Sequence, residues 1–184
     1  MLTTSPARCS VITRAANASV HSTLPFADES DFERATRGLL AGADHAAVMH
    51  AAGFPVWDFD SFAFVGGEAP ETVNPSLWRQ ARLNGIRGLF RVTDGITQVR
   101  GFDISNLTFV EGETGRILID PLTSAETAAA ALALADDALG ARPVVAIIYT
   151  HSHADHFAGV RGVVSDEDVT SGRVRVIAPE GFLA

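Results

Sequence analysis

Three histidines and one aspartate lie within six consecutive positions of the chain: His151, His153, Asp155 and His156. They directly follow the apolar run VVAIIYT, which has the length of a strand. Imidazole nitrogen and carboxylate oxygen are ligands that suit zinc, and also iron or manganese. A lone histidine on a loop is usually an ordinary polar residue, but this density of ligands after a predicted buried strand is typical of a metal site. The segment therefore predicts a metal site.

The spacing of the four side chains indicates how they would share metal. In extended backbone, positions i and i+2 point to the same side, so His151 and His153 can converge on one ion. Asp155 and His156 follow where the chain is expected to turn into a helix, and they can face a second ion. A catalytic zinc normally has about three protein ligands and a water. Four ligands shared between two ions leave each ion short, so we expect a half-site that binds zinc weakly.

The remaining histidines do not complete this ligand set in the sequence interpretation. They are His21, His45 and His50, all far upstream of the metal segment. We interpret all three as surface or packing residues, because a histidine outside a ligand cluster is most often one of these.

The segments that must position the metal site read as an α/β layered domain. GITQVRGFD and NLTFVEGETGRILID have the alternation of antiparallel strands. Thr123 as N-cap with Glu126 reaching back predicts a capping box, from which an alanine-rich helix runs to Leu139 and ends at Gly140. VVAIIYT then predicts a strand buried on both faces, and RVRVIAP a similar strand. The metal segment follows the first of these strands, at the edge where α/β folds usually place ligands.

The first half of the chain is less regular. Residues 1–28 lack periodicity and are expected to form a loose N-terminal arm. Residues 29–87 are interpreted as a helical and extended lead segment that packs on the domain, which itself takes in residues 88–184. Within the lead segment, 29–40 has helical spacing with Gly42 as its stop. The stretch SLWRQARLN predicts a second helix, opened by an asparagine and a proline and closed by a glycine.

Composition excludes several classes of function. The chain has 184 residues, a net charge of −8 and 14 basic residues, all of them arginine, so no basic stripe favours nucleic-acid binding. Cys9 is the single cysteine, which excludes an internal disulfide and a cysteine-based zinc cage. The N-terminal stretch has no continuous apolar core of a signal peptide, and no apolar run is long enough to span a bilayer. The default expectation is a cytoplasmic protein without a membrane span, with export left open.

The segment His151–His156 resembles the His-x-His-x-Asp-His signature of the metallo-β-lactamase superfamily. The stretch RILIDP is similar to the strand of that superfamily that ends in an aspartate, here Asp120. The resemblance implies that Asp120 supports the metal loop through hydrogen bonds rather than binding metal. The alternative is an ordinary turn or cap residue before Pro121.

Longer stretches resemble the alkyl sulfatase branch of that superfamily over residues 54–184. They are TVNPSLWRQARLN, GLFRVTDGITQVRGFDISNLTFVEG, IDPLTSAETAAAALAL, ARPVVAIIYTHSHADHFAGVRGV and VRVIAPEGF. The resemblance implies an αββα sandwich and a metal-dependent hydrolase that cleaves linear primary alkyl sulfates, such as dodecyl sulfate, with a metal-bound hydroxide. It implies two zinc ions, or other divalent metals, held by His151 and His153 and by Asp155 and His156. Asp155 is also placed to orient or deprotonate the water, which makes it the candidate catalytic residue.

Members of that branch continue beyond APEGFLA with further ligands and a dimerisation segment. We therefore expect this chain to be the N-terminal portion, with about the first half of the αββα sandwich, and to be inactive alone. The full-length enzyme is expected to be a homodimer. Two alternatives remain: another hydrolase of the superfamily, acting on a lactone, thioester or phosphodiester, or a truncated product without catalysis.

Overall fold

The computed structural model describes residues 9–43 and 46–182 and divides the chain into two units. One unit takes in the described residues up to Ala35 together with Ala63–Gly85. The other takes in Thr36–Phe62 and the described residues from Ile86 onward. The sequence placed boundaries after residues 28 and 87, whereas the structure divides the predicted lead segment between both units. The second unit contains the predicted metal segment.

The first unit is helical and contains α1 (Val11–His21), α2 (Ser30–Thr36) and α3 (Pro75–Asn84). The prediction of a loose arm over residues 1–28 is wrong for α1. This helix has no buried residue, and Val11 and Ile12 in its first turn are exposed. The helix α3 confirms its prediction, since the Asn74 side chain caps its first turn and Gly85 ends it.

The helix α2 is shorter than predicted, because Gly38 rather than Gly42 ends the helical pattern. Gly38 adopts a φ of +77°, in the left-handed region that glycine tolerates. A Cβ at this position would lie 2.4 Å from the main-chain oxygen of Arg91, so no other residue fits without a shift. Leu39 and Leu40, which completed the helical spacing in the sequence, belong to a strand instead.

The second unit contains a seven-stranded sheet and a two-stranded ribbon. The strands are β1 (Leu39–Ala41), β2 (Ala47–Met49), β3 (Pro55–Asp58), β4 (Gly88–Thr93), β5 (Ile96–Arg100), β6 (Leu107–Glu111), β7 (Arg116–Ile119), β8 (Val144–Ile148) and β9 (Arg175–Ile177). The sheet order is β1-β4-β5-β6-β7-β8-β9, and β2 pairs with β3. Pairing is antiparallel from β1 to β7, and parallel between β7, β8 and β9. The predicted antiparallel strands and α/β class are confirmed.

The connection between the parallel strands β7 and β8 runs through the long helix α4 (Ala125–Leu139). Its N-cap is Ser124, one position later than predicted, and the Ser124 hydroxyl accepts from the main-chain N–H of Thr127 at 3.1 Å. The predicted capping box of Thr123 and Glu126 is therefore wrong. The Thr123 side chain instead donates to a buried aspartate, which the sequence pattern could not reveal. Gly140 ends α4 as predicted.

The core of the second unit lies between the sheet and α4. Its buried apolar residues come from both ribbon and sheet strands, from the strand-connecting loops and from α4: Val48, Phe59, Leu89, Val99, Phe102, Leu107, Phe109, Leu118, Leu122, Ala128, Ala131, Ala135, Ile147, Val164 and Val174. The prediction that β8 is buried on both faces holds at its centre, because the consecutive residues Ala146 and Ile147 point to opposite faces and are both buried. The other three residues of the strand are only partly buried. Its neighbour β9 is a three-residue edge strand whose side chains are all exposed, so it shields little of β8.

A short helix, α5 (Asp166–Thr170), precedes β9 and begins with a capping box. The Ser165 hydroxyl accepts from the main-chain N–H of Asp168, while the Asp168 carboxylate accepts from the hydroxyl of Ser165 at 2.6 Å and its main-chain N–H at 3.1 Å. Arg173 donates to the same carboxylate at 3.0 Å. The bonds from the Ser165 side chain and backbone, followed by the Arg173 contact, lower the pKa of Asp168 to about 2.

The capping box makes stability depend on pH in a defined direction. The pKa of Asp168 in the folded chain lies below its ordinary value of 3.8, so its stabilising effect is fully present above that value and is lost as pH falls through about 2. We expect wild type to be more stable than Asp168→Asn at pH 6, with the difference shrinking between pH 4 and pH 2. Urea unfolding at a series of pH values measures it, and Asp166→Asn, in the same turn, is the control. A constant difference across that range would contradict the assignment.

Two glycines allow the segment after the metal motif to approach the start of α4 closely. A Cβ on Gly159 would lie 2.2 Å from the main-chain oxygen of Pro121, and one on Gly162 would lie 1.9 Å from that of Ala125. Both positions belong to a 3₁₀ helix, Ala158–Gly162, in the region where the chain was expected to turn into a helix. These two glycines therefore allow the backbones of the two helices to pack closely.

Gly162→Ala should be destabilising, because the added methyl group would overlap the main chain of Ala125 and force that backbone to shift. We expect the free energy of unfolding to fall by about 1–3 kcal/mol, as for other overpacked sites. Gly66→Ala is the matched control, since a Cβ there meets no atom within 4 Å and its φ is not in the left-handed range. Urea unfolding followed by circular dichroism measures both variants, and equal midpoints would contradict the packing argument.

Candidate metal centre

The predicted metal segment and Asp120 leave the sheet at the same edge. Strands β7 and β8 are parallel neighbours, with Ile119 in register with Ile148. The residues that follow, Asp120 and Thr150, therefore emerge side by side at the carboxyl ends of the strands. This edge is where open α/β sheets bind ligands.

The backbone after β7 takes an uncommon path. Asp120 has a φ of 58° and Leu122 a φ of 61°, values that cost residues other than glycine about 1–3 kcal/mol each. The main-chain N–H of Asp120 donates to Ile148 at 3.0 Å, and that of Leu122 donates to the carbonyl of Asp120 at 2.9 Å. Such conformations persist only where the surroundings fix them, and they turn the Asp120 side chain toward the continuation of β8.

The carboxylate of Asp120 is nearly buried and holds the metal segment at two points. It accepts from the main-chain N–H of Thr150 at 2.8 Å and from the Thr150 hydroxyl at 2.7 Å. Its Oδ2 also lies 2.8 Å from Nδ1 of His156. A proton on Nδ1 satisfies this bond and leaves the lone pair of Nε2 available to a ligand.

The three histidines of the motif lie against one another. The ring centre of His151 is 4.7 Å from that of His153 and 4.1 Å from that of His156. A 3₁₀ helix, Ala154–His156, turns the chain so that Asp155 Oδ2 lies 3.2 Å from Nε2 of His156. His151 also contacts the Thr150 hydroxyl through Nδ1 at 2.9 Å. The segment thus gathers three imidazoles and one carboxylate at a single edge of the sheet.

These donors fit a divalent ion in type and location but do not enclose one. Among residues 9–43 and 46–182, no group of three or more His, Cys, Asp or Glu side chains is arranged to hold a metal ion. Imidazole and carboxylate suit zinc, and the Asp120–His156 bond is the kind that orients a ligating histidine. The segment therefore has the chemistry of part of a metal site rather than of a closed one.

The other histidines lie elsewhere. The His21 ring packs against Phe26, with ring centres 4.9 Å apart. His50 stacks on Phe54 at 4.5 Å, and its Nε2 lies 3.6 Å from Glu126. His45 lies outside the described residues.

Tyr149 lies between the end of β8 and the metal motif and packs against two phenylalanine rings. Its ring packs against Phe157 at 5.8 Å and against Phe182 at 5.4 Å between ring centres. Burial raises the pKa of the Tyr149 phenol above its ordinary value. The phenol is therefore neutral at physiological pH.

The structure adds two residues that the sequence did not single out, Asp103 and Ser105 on the loop between β5 and β6. Asp103 accepts hydrogen bonds from the segment after Asp120, and the Ser105 hydroxyl donates to the main-chain carbonyl of Asp155. Both lie in the stretch GFDISN, which carried part of the family resemblance but gave neither residue a role. Their partners lie 20 and 50 positions away in sequence, so only the folded chain brings them together.

Comparison with known proteins agrees with this geometry. Residues 100–183 match the metallo-β-lactamase superfamily. The chain is 50% identical to an (R)-specific secondary-alkylsulfatase of a Pseudomonas species over 95% of its own length and 26% of that protein's. It is also 48% identical to an alkyl/aryl-sulfatase of Saccharomyces cerevisiae, over 95% of this chain and 27% of the relative. The chain thus resembles alkylsulfatases over nearly its whole length, and its C-terminal part matches the metallo-β-lactamase superfamily.

A solved alkylsulfatase structure has the same fold over the matched segment. The stereoselective inverting sec-alkylsulfatase from Pseudomonas sp. superposes with a TM-score of 0.91 at 49% identity, over 97% of this chain and 28% of that one. The chain thus spans about a quarter of the length of the alkylsulfatases it matches. The expected resemblance and fold class are confirmed. No helix among the described residues is long and apolar enough to cross a membrane.

Asp120→Asn tests how the metal segment is held. An amide donates through its nitrogen and cannot accept from all the groups that face Asp120, so the free energy of unfolding should fall by about 1–3 kcal/mol. Removing the partner of a ligating histidine should also weaken zinc affinity about 10–100-fold. Asp94→Asn, on the exposed turn between β4 and β5, is the control for charge. Urea unfolding measures the stability, and competition with a chromophoric chelator measures the zinc affinity. Wild-type values for both would contradict the role of Asp120 in holding the metal segment.

Proposed function

We propose that this chain supplies the metal-binding loop of a metal-dependent sulfuric ester hydrolase. Its substrates are linear primary alkyl sulfates such as dodecyl sulfate, which it converts to alcohol and sulfate. The observation that carries the proposal is the edge of β8, where Asp120 orients His156 beside His151, His153 and Asp155. The alkylsulfatases named above support alkyl sulfates as the substrate class, and a linear primary-alkylsulfatase of a Pseudomonas species supports the primary esters.

In this proposal His151 and His153 hold one zinc ion, and Asp155 with His156 holds a second, with further ligands from outside this segment. A bound divalent ion lowers the pKa of water toward neutrality. A proton on His156 Nδ1 is donated to Asp120, which leaves the lone pair of Nε2 available as a ligand. The Asp155 carboxylate, on the same 3₁₀ turn, orients the attacking water or accepts its proton.

Secondary alkyl sulfates are a second candidate substrate class. The chain is 50% identical to the (R)-specific secondary-alkylsulfatase over 175 residues and 50% identical to a linear primary-alkylsulfatase of a Pseudomonas species over 173 residues. Because the two identities are equal, this segment does not discriminate between primary and secondary alkyl sulfates. We infer that the choice of substrate depends on other parts of the site. The proposal extends to a homodimer, as the resemblance implies, and to a cytoplasmic location, which a single cysteine permits.

Zinc titration of the 1–184 chain by calorimetry tests the metal loop itself. We expect weak binding that His153→Ala reduces at least about tenfold, because one of the few ligands is lost. His21→Ala is the matched control, since that ring packs against Phe26 outside the motif. Binding that His153→Ala leaves unchanged would contradict the proposed ligand set.

A chimera tests the reaction. This chain replaces the matching segment of the (R)-specific secondary-alkylsulfatase, and sulfate release is measured with dodecyl sulfate and with a secondary octyl sulfate. We expect turnover that Asp155→Asn lowers by about 100-fold or more, the usual scale for a positioned acid–base group. A folded, zinc-loaded chimera that hydrolyses a lactone or thioester but no sulfate ester would favour another hydrolase of the superfamily.

A further inference from the structure

The loop between β5 and β6 carries a buried carboxylate that holds the segment following β7. Oδ1 of Asp103 accepts from its neighbour Ile104 N–H at 2.7 Å and from the Thr123 hydroxyl at 2.7 Å. Oδ2 accepts from the Thr123 N–H at 3.0 Å and from the Thr127 hydroxyl at 2.7 Å. Asp103 is only 8% exposed. Both oxygens are satisfied within the protein, and three of the four donors belong to the chain just beyond Asp120.

The same loop reaches the metal segment directly. Ser105 is 7% exposed, and its hydroxyl donates to the main-chain carbonyl of Asp155. Asp103 and Ser105 therefore hydrogen-bond from one short loop to two segments, the one that follows Asp120 and the metal segment. Asp103 fixes the segment that carries Asp120, and Ser105 fixes the backbone beneath a proposed ligand.

A third contact joins the two targets. The main-chain N–H of Gly159 donates to the carbonyl of Leu122 at 2.9 Å. Leu122 directly precedes Thr123, the partner of Asp103, and Gly159 lies four residues after Asp155, the partner of Ser105. The left-handed backbone at Asp120 and Leu122 persists only if the surroundings determine it. Thr123 is the next residue along, and its N–H and hydroxyl both bind Asp103. The orientation of the Asp120 carboxylate, and through it His156, thus depends on Asp103.

We propose that Asp103 and Ser105 are positioning residues for the metal ligands of this chain. Asp103 acts through Thr123 and Asp120 on His156, and Ser105 acts on Asp155. This inference rests on the proposed function for the identity of the ligands. Neither side chain belongs to the proposed ligand set, since the hydrogen bonds of both go to other parts of the protein. Their effect is to hold two ligands within the few tenths of an ångström that a metal site requires.

The experiment compares Ser105→Ala and Asp103→Asn with Ser61→Ala in the full 1–184 chain. The Ser61 hydroxyl also donates to a main-chain carbonyl, that of Asp58 at 2.8 Å, so the control removes the same kind of bond elsewhere in the same unit. Zinc affinity is measured by competition with a chromophoric chelator. Amide hydrogen exchange of the zinc-free chain is measured at Thr150, whose N–H binds Asp120.

We expect zinc affinity to fall about 10–100-fold in Ser105→Ala and Asp103→Asn, and to stay within about twofold of wild type in Ser61→Ala. Exchange at Thr150 should accelerate at least about tenfold in Asp103→Asn, because Asp120 loses its fixed orientation. Cobalt-loaded Ser105→Ala should show a shifted visible absorption spectrum, which a change in stability alone would not cause.

Wild-type zinc affinity in Ser105→Ala, together with unchanged Thr150 exchange in Asp103→Asn, would overturn the inference. If Asp103→Asn does not fold, Ser105→Ala alone decides through zinc affinity and the cobalt spectrum. If wild type binds no zinc, the proposed function fails, and the Thr150 exchange rate still decides whether Asp103 positions the motif.

Discussion

The carboxylate of Asp120 is the contact on which the candidate site depends. It links the end of β7 to the continuation of β8 through three hydrogen bonds, two to Thr150 and one to His156. The strand ladder pairs Ile119 with Ile148, and the Asp120 carboxylate extends this connection past the end of the ladder to Thr150 and His156. The positive φ of Asp120 is the conformation that turns the carboxylate toward them. The placement of the histidine ring therefore follows from one unusual backbone position.

A second set of charges holds the opposite end of the same strand. Arg116 begins β7 and is fully buried, where its guanidinium binds Glu111, Asp136 and the main-chain carbonyl of Gly140. A buried cation is costly unless all its donors find partners, so this arrangement ties β6, β7 and the end of α4 together. With Arg116 at one end and Asp120 at the other, β7 is fixed along its length. The metal segment therefore lies beside a strand that has side-chain hydrogen bonds at both of its ends.

The described chain gathers ligands without closing a site. His151, His153, Asp155 and His156 lie at one edge, yet they do not form an arrangement that holds a metal ion among the described residues. The alkylsulfatases that this chain resembles are about four times as long as the chain. The arrangement agrees with a chain that contributes the histidine-rich loop and its supporting hydrogen bonds to a larger enzyme, as we propose.

Local sequence determined much of this protein. The ligand cluster, the aspartate after β7, the antiparallel strands and the capped helix α3 all follow from short-range patterns, because alternation, capping and ligand density are local properties. Other features depended on tertiary structure. Gly38 follows α2 at a position where the main chain of Arg91 leaves no room for a Cβ. Ser124 rather than Thr123 caps α4, and the Thr123 hydroxyl binds Asp103 instead. The role of Ser105 arises from a partner 50 positions away, and only the folded sheet brings the two into contact.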